Sequence, residues 1–124
     1  MSTPETLNLI GRICVAFYFL WATQFNLRAW QHHIAELERI GVPFATPVLA
    51  IGLAMQALGS VLLLAGPTLL WGGCILIVFT ATADALFHRF WTYPDPAEQV
   101  MHKFFLCEHV ALIGGLLGLM AAHL

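Results

Sequence analysis

Thr80, Asp84 and His88 recur at four-residue intervals, which places them on one face of a helix, with Trp91 next along the same stripe. They lie toward the end of an apolar run. An ionisable side chain within lipid costs several kcal/mol, so each is a functional-site candidate with a partner to be named. His102 and His109, seven residues apart in the next apolar run, also share a helix face. If these two runs pack antiparallel, Asp84, His88 and His102 converge toward one end of a bundle, with His109 as a polar neighbour. Three chemistries suit such a set: a hydrogen-bonded network that only ties helices together, a pocket for a quinone or other small molecule, and a metal or haem centre. The last has no local support, because no H-x-x-x-H or E-x-x-H pair sets two ligands on one turn. Asp84 beside His88 reads equally as a carboxylate orienting an imidazole. No bound metal is therefore expected, and a quinone is the one cofactor the residues suit. Its carbonyls need donors and its tail needs an apolar groove, and Gln24, Gln56, His88 and Trp91 beside Phe-rich helices offer both.

Two further ionisable residues lie deep in apolar runs. At about 1.5 Å per helical residue, Arg12 sits about 12 Å into its run from Pro4, and Glu108 about 18 Å into the last run from Pro96, entering from the opposite side. Both approach the midplane, and pairing would offset part of a desolvation cost that neither could bear alone. An Arg12–Glu108 ion pair is the expectation.

The elements that position these residues follow from start and stop signals. Leu7 to Leu27 is preceded by Thr3-Pro4-Glu5, with Thr as cap, Pro at the first helical position and an acid in the first turn. Val48 to Gly66 opens with Thr46-Pro47 in the same order and closes at Gly66-Pro67, a turn that cannot continue a helix. A third run, about Leu69 to Phe90, ends before Tyr93-Pro94-Asp95-Pro96, where Asp95 and Glu98 form a capping-box pattern for a fourth helix reaching about Ala122. Between the first two runs, Trp30, Ile34, Leu37 and Ile40 recur at helical spacing among His32, His33, Glu36, Glu38 and Arg39, which predicts a short interfacial helix, with a lid over a cavity as its functional alternative. The expectation is an all-α membrane protein: one domain over 1–124, a four-helix transmembrane bundle with a short interfacial helix between the first and second spans.

Composition supports this. The 124 residues are 60% hydrophobic and 10% charged, against roughly 25% charged in soluble domains. Four spans of about 20 residues use about 80 positions, which leaves no length for a soluble domain of about 50 residues or more. A net charge of −2 with five Lys or Arg provides no phosphate-binding patch, which argues against a nucleic-acid partner. Cys14, Cys74 and Cys107 form no C-x-x-C pair and are read as small core residues. Glu5 and Arg12 fit a cleavable signal poorly. Arg28, Arg39, Arg89 and Lys103 fall on the side of the two longer connections, so the positive-inside bias puts those in the cytoplasm, with both ends of the chain outside the cytoplasmic membrane. Gly114 and Gly118, with Ala111, Gly115 and Ala122, make a small-residue face on the last helix. That face suits packing within the chain, and alternatively a homo-oligomer or a larger membrane redox complex.

The pattern resembles the DoxX family of small four-span membrane proteins. The likeness is carried by Gly11-Arg12, Ile40-Gly41-Val42-Pro43 and Leu58-Gly59 followed by Val61 to Gly66. Its most specific parts are Leu86-Phe87-His88-Arg89-Phe90-Trp91, Asp95-Pro96-Ala97-Glu98-Gln99 and Ala111-Leu112-Ile113-Gly114-Gly115-Leu116-Leu117. The chain departs from the family in carrying Gln56 where relatives often have an acid, and Glu108-His109 where they have a Lys-Asn pair. The resemblance implies a four-span fold associated with quinol or thiosulfate oxidation. The leading expectation is an accessory or quinone-interacting subunit of a membrane redox system, with Asp84, His88 and Trp91 lining the site. The rivals are a non-enzymatic scaffold or assembly factor, and a small membrane enzyme or carrier in which Asp84, Glu108 and His109 handle protons.

Overall fold

The computed structural model describes residues 1–124 as five α-helices joined by short turns, with no strand. Helix α1 spans Thr3–Arg28 and opens with a capping box: the Ser2 hydroxyl accepts the Glu5 N–H at 3.2 Å, and the Glu5 carboxylate accepts the Ser2 N–H at 3.1 Å. The cap is thus Ser2 rather than Thr3, because the acid must stand three residues past the cap to return the bond. The short helix α2, Trp30–Arg39, follows directly. Its Leu37 is fully buried with Ala45, Leu49 and Leu53 of helix α3, and Leu86 and Phe87 pack against the same cluster. Helix α3, Ala45–Leu64, starts after Phe44 in the left-handed region (φ 55°), with no side-chain cap from Thr46.

A 3₁₀ turn at Gly66–Thr68 folds the chain back into helix α4, Leu69–Phe87. This helix ends earlier than the apolar pattern predicts, leaving His88 as its C-cap at φ −113°. After a second 3₁₀ turn at Phe90–Thr92, helix α5 spans Pro96–Ala121, with Asp95 accepting the Ala97 N–H at 3.1 Å. Asp95 alone supplies this cap, and Glu98 returns no bond.

The four long helices form a ring in which α3 packs on α1 and α4, and α5 on α4 and α1, while the backbones of the two diagonal pairs, α1 with α4 and α3 with α5, do not approach closely. At the Gly66 end the ring is tight. A Cβ at Gly72 would lie 2.5 Å from the Leu63 nitrogen and 2.7 Å from the Gly59 oxygen, so the α3 and α4 backbones meet directly there. Ala16, Phe19, Leu63, Leu69, Leu76 and Leu116 form the core at this end. Arg12 closes it. The Arg12 Nε donates to Asn8 Oδ1 at 2.9 Å and Nη1 to the Leu64 carbonyl at 2.8 Å, while Asn8 Nδ2 donates to the Leu119 carbonyl at 3.2 Å. Cation and amide thereby satisfy last-turn carbonyls of α3 and α5, where a positive charge also complements the helix dipole. No Arg12–Glu108 pair forms. Glu108 faces outward, because depth along two helices says nothing about the angle at which side chains leave them.

All four long helices are long and apolar enough to cross a membrane. Their outer faces carry exposed Ile10, Ile13 and Phe17 on α1, Ile51, Leu58 and Val61 on α3, Val78 on α4 and Val110 and Leu117 on α5. Bare apolar surface on this scale is lipid contact, and the protein is an integral membrane protein. The cysteines lie on this face rather than in the core, since Cys14, Cys74 and Cys107 are all exposed. The same holds for Gly114, Gly115 and Gly118, where an added Cβ would meet nothing within 4 Å, so they do not serve helix packing within the chain. The close approaches instead use Gly11 against Leu119, and Gly59 and Gly72 against each other's helices.

Candidate functional site between the diagonal helices

Between the diagonal helices, the half of the ring nearer α2 holds a cavity of about 760 Å³. That is the size of a small-molecule site, typically about 300–1,000 Å³. Phe19, Phe25, Leu53, Phe79, Leu86 and Phe105 give it apolar walls, and α2 contributes His32, His33, Glu36, Leu37 and Arg39 at one end. The short amphipathic helix is therefore a wall of the cavity as well as a connector.

Two polar groupings interrupt these walls. On the first, His33 Nε2 lies 3.1 Å from Asn26 Oδ1, and Asn26 Nδ2 donates to Gln56 Oε1 at 3.4 Å. An amide oxygen only accepts, so the His33 Nε2 carries the proton and its buried Nδ1 is an acceptor with no partner. Burial, aided by neighbouring His32, lowers the His33 pKa from its ordinary 6.5, which keeps the ring neutral at physiological pH. Thr80, only 2% exposed, lines the cavity with a buried hydroxyl that also has no partner.

The second grouping runs along α4 and α5. Asp84 Oδ1 accepts from His109 Nδ1, and the Tyr18 hydroxyl lies 3.4 Å from His109 Nε2. His88 Nε2 faces the same Asp84 oxygen at 4.0 Å, while its Nδ1 is 2.9 Å from His102 Nδ1. Beyond His102 the contacts continue to residues of α2 and the turn before α5. Its ring stacks on Tyr93 with centroids 4.1 Å apart, Tyr93 donates to Glu36 Oε2 at 3.0 Å, and Arg39 pairs with Glu36 at 3.0 Å. The Arg39 guanidinium also lies 4.7 Å from the Tyr93 ring centre. Burial pushes the Glu36 carboxyl up, but hydrogen bonds from Arg39 and Tyr93 outweigh it and hold the group below its ordinary 4.5. Burial and the Glu36 bond raise the Tyr93 phenol, and the Glu36 bond raises the Arg39 guanidinium.

Of the residues expected from spacing, Asp84, His88, His102 and the neighbouring His109 do come together, and Gln56 reaches the opposite wall. Trp91 does not. Helix α4 stops at Phe87, which breaks the periodicity, and Trp91 lies 66% exposed against Phe90. Gln24 is exposed beside Trp21, Phe25 and Arg28, because the inward face of α1 runs through Ala16, Phe19 and Thr23. Spacing along single helices missed Tyr18, Asn26, His33, Glu36 and Tyr93. Tyr18, Ala22 and Asn26 repeat at i, i+4 and i+8 on the cavity side of α1, a signal of the same kind as the Asp84 stripe.

No family model matches the chain, and neither a curated protein nor a solved structure is significantly similar to it.

Proposed function

We propose that this integral membrane protein binds an amphipathic small molecule of the quinone class between α3 and α5, as a DoxX-like accessory subunit of a membrane redox system. The observation that carries the reading is the apolar cavity of about 760 Å³ together with two unpartnered polar atoms buried in the residues that line it: the Thr80 hydroxyl and the His33 Nδ1 have no protein partner. Buried polar groups are almost always matched, and a ligand bearing both donor and acceptor oxygens would match these two. Once the Thr80 and His33 side chains turn these atoms to the cavity, one quinol hydroxyl can donate to His33 Nδ1 and the other quinol oxygen can accept from Thr80 Oγ1. The apolar walls suit an isoprenoid tail. The longer connections, with Arg39 and Arg89, are placed on the cytoplasmic side of the cytoplasmic membrane in this reading.

The test is saturable binding of a short-tailed ubiquinol and a short-tailed menaquinol analogue, kept reduced, to the purified protein in detergent. Binding that weakens about tenfold in Thr80→Val and in His33→Phe supports the reading. Binding equal in the wild type and both variants, or none at all, overturns it. The scaffold alternative is favoured by the unpartnered Gly114–Gly118 face of α5. A Gly114→Leu, Gly118→Leu variant that stays folded but loses a stoichiometric partner, either a second copy or a larger redox subunit, would support that role.

A further inference from the structure

We propose that Asp84, His88 and His109 form a mononuclear site for a divalent first-row transition ion, with one coordination position open to the cavity. One ligand-type atom from each residue lies within 4.8 Å of the other two. The side chains are sheltered, at 10% exposure for Asp84 and 15% for each histidine. A single ion with bonds of about 2.0–2.2 Å holds its ligand atoms about 3–3.5 Å apart. The 4.0 Å separation of His88 Nε2 from Asp84 Oδ1 closes to that value with a small ring rotation, and the close Asp84–His109 contact opens to it.

The stronger argument is how the two imidazoles are held. A metal-binding histidine usually has its other ring nitrogen hydrogen-bonded, which sets tautomer and orientation. Here His88 Nδ1 is engaged by His102, leaving Nε2 toward Asp84, and His109 Nε2 is engaged by Tyr18, leaving Nδ1 toward Asp84. Both free nitrogens therefore face one carboxylate oxygen. When an ion binds, the His109 proton moves from Nδ1 to Nε2, a change of tautomer with no net release, so that Nε2–H donates to the Tyr18 oxygen while His88 Nδ1–H donates to His102. The donor set of two imidazoles and one carboxylate suits Zn²⁺, Fe²⁺ or Co²⁺ rather than Mg²⁺ or Ca²⁺, which take oxygen ligands. His88 and His109 both line the cavity, so the fourth position points into it. One carboxylate leaves the loaded site with a single positive charge, which favours an oxygen-bearing or anionic group there. The site shares the cavity with the quinone reading but does not rest on it, because neither Thr80 nor His33 supplies a ligand.

The experiment is a Co²⁺ titration of chelator-stripped protein in detergent, purified without a histidine tag and with no quinone added. The expected result is one equivalent bound, with the visible absorption of a four- or five-coordinate ion. Asp84→Asn and His109→Gln should each weaken binding more than 100-fold, and Tyr18→Phe and His102→Gln about 10- to 100-fold. His32→Gln should change nothing. Absence of stoichiometric binding, or binding indifferent to Asp84→Asn and His109→Gln, overturns the proposal. Should those variants fail to fold, pulsed electron paramagnetic resonance of Cu²⁺ on the unsubstituted protein decides: couplings from two imidazoles support the site, and any other number refutes it.

Discussion

At the Gly66 end of the bundle, Arg12 and Asn8 bind carbonyls of Leu64 and Leu119, and backbones cross at Gly59 and Gly72 without room for a methyl group. At the α2 end the polar residues are more numerous, the helices stand apart, and a buried hydroxyl and a buried imidazole nitrogen remain unmatched. Both ends place polar groups in a low-dielectric setting, where an unmatched group is expensive. At the closed end they complete the helix termini, so their role is structural. At the open end they exceed what the fold can satisfy, which is the mark of a site prepared for something else. Polarity inside a membrane bundle is thus a poor guide to function until its hydrogen-bond partners are counted.

The largest expected effect lies at the closed end. Gly72→Leu must push α3 and α4 apart at backbone contact, and overpacking typically costs about 1–3 kcal/mol and occasionally more. Thermal unfolding in detergent should show a lost or strongly lowered transition, while Gly118→Leu, which meets open space, leaves it unchanged. An intact Gly72→Leu protein would dissolve the contrast between the halves. Next is Arg12→Met, which leaves the Leu64 carbonyl without its charged donor, at a cost of about 1.5–3 kcal/mol. Glu108→Gln should stay within about 0.5 kcal/mol, and the double variant should be additive in equilibrium unfolding. Coupling between them would restore the ion pair that the structure lacks.

Smaller and of opposite sign is Thr80→Val at the open end. Removing a buried hydroxyl with no partner should stabilise the ligand-free protein by about 1 kcal/mol while weakening the cavity ligand. A destabilised Thr80→Val would mean the hydroxyl is matched within the protein.

The smallest effect concerns the exposed end of the histidine chain. Glu36 has its carboxyl lowered below 4.5 in the folded state. A depressed carboxylate contributes stability that is present above its unfolded pKa and lost as pH falls through the lower folded value. The difference in melting temperature between wild type and Glu36→Gln should therefore be constant near neutrality and shrink as pH falls below the ordinary 4.5 and through the lowered folded value. It should reflect less than about 1 kcal/mol, since the pair with Arg39 is largely solvated. A difference that instead grows on acidification would disprove the assignment.

Much of this was legible in the sequence. Four apolar runs bounded by prolines and caps specify four helices, because spacing and capping act over a few residues and need no knowledge of neighbours. The same locality explains the successes at the site: Asp84 and His88 share a face by helical geometry, as do His102 and His109. It also explains the misses. Trp91 falls on the stripe only if the helical period continues past Phe87, where the helix ends. Arg12 and Glu108 were paired by depth, and angle decided otherwise.

Helix number, span length and membrane residence therefore follow from the chain alone, since apolar length and backbone self-satisfaction are properties of single segments. The tertiary structure decided what those segments left open: that α3 and α5 stand on a diagonal with a cavity between them, that α2 closes one end of it, and that His109 from α5 meets Asp84 of α4 and His88 at its C-cap. Ligand sets of this kind depend on how helices are rotated about their axes. That rotation is set by the summed packing of every face, from Gly72 against Gly59 to Leu37 of α2 against Leu49 and Leu53 of α3, and no short window of sequence contains it.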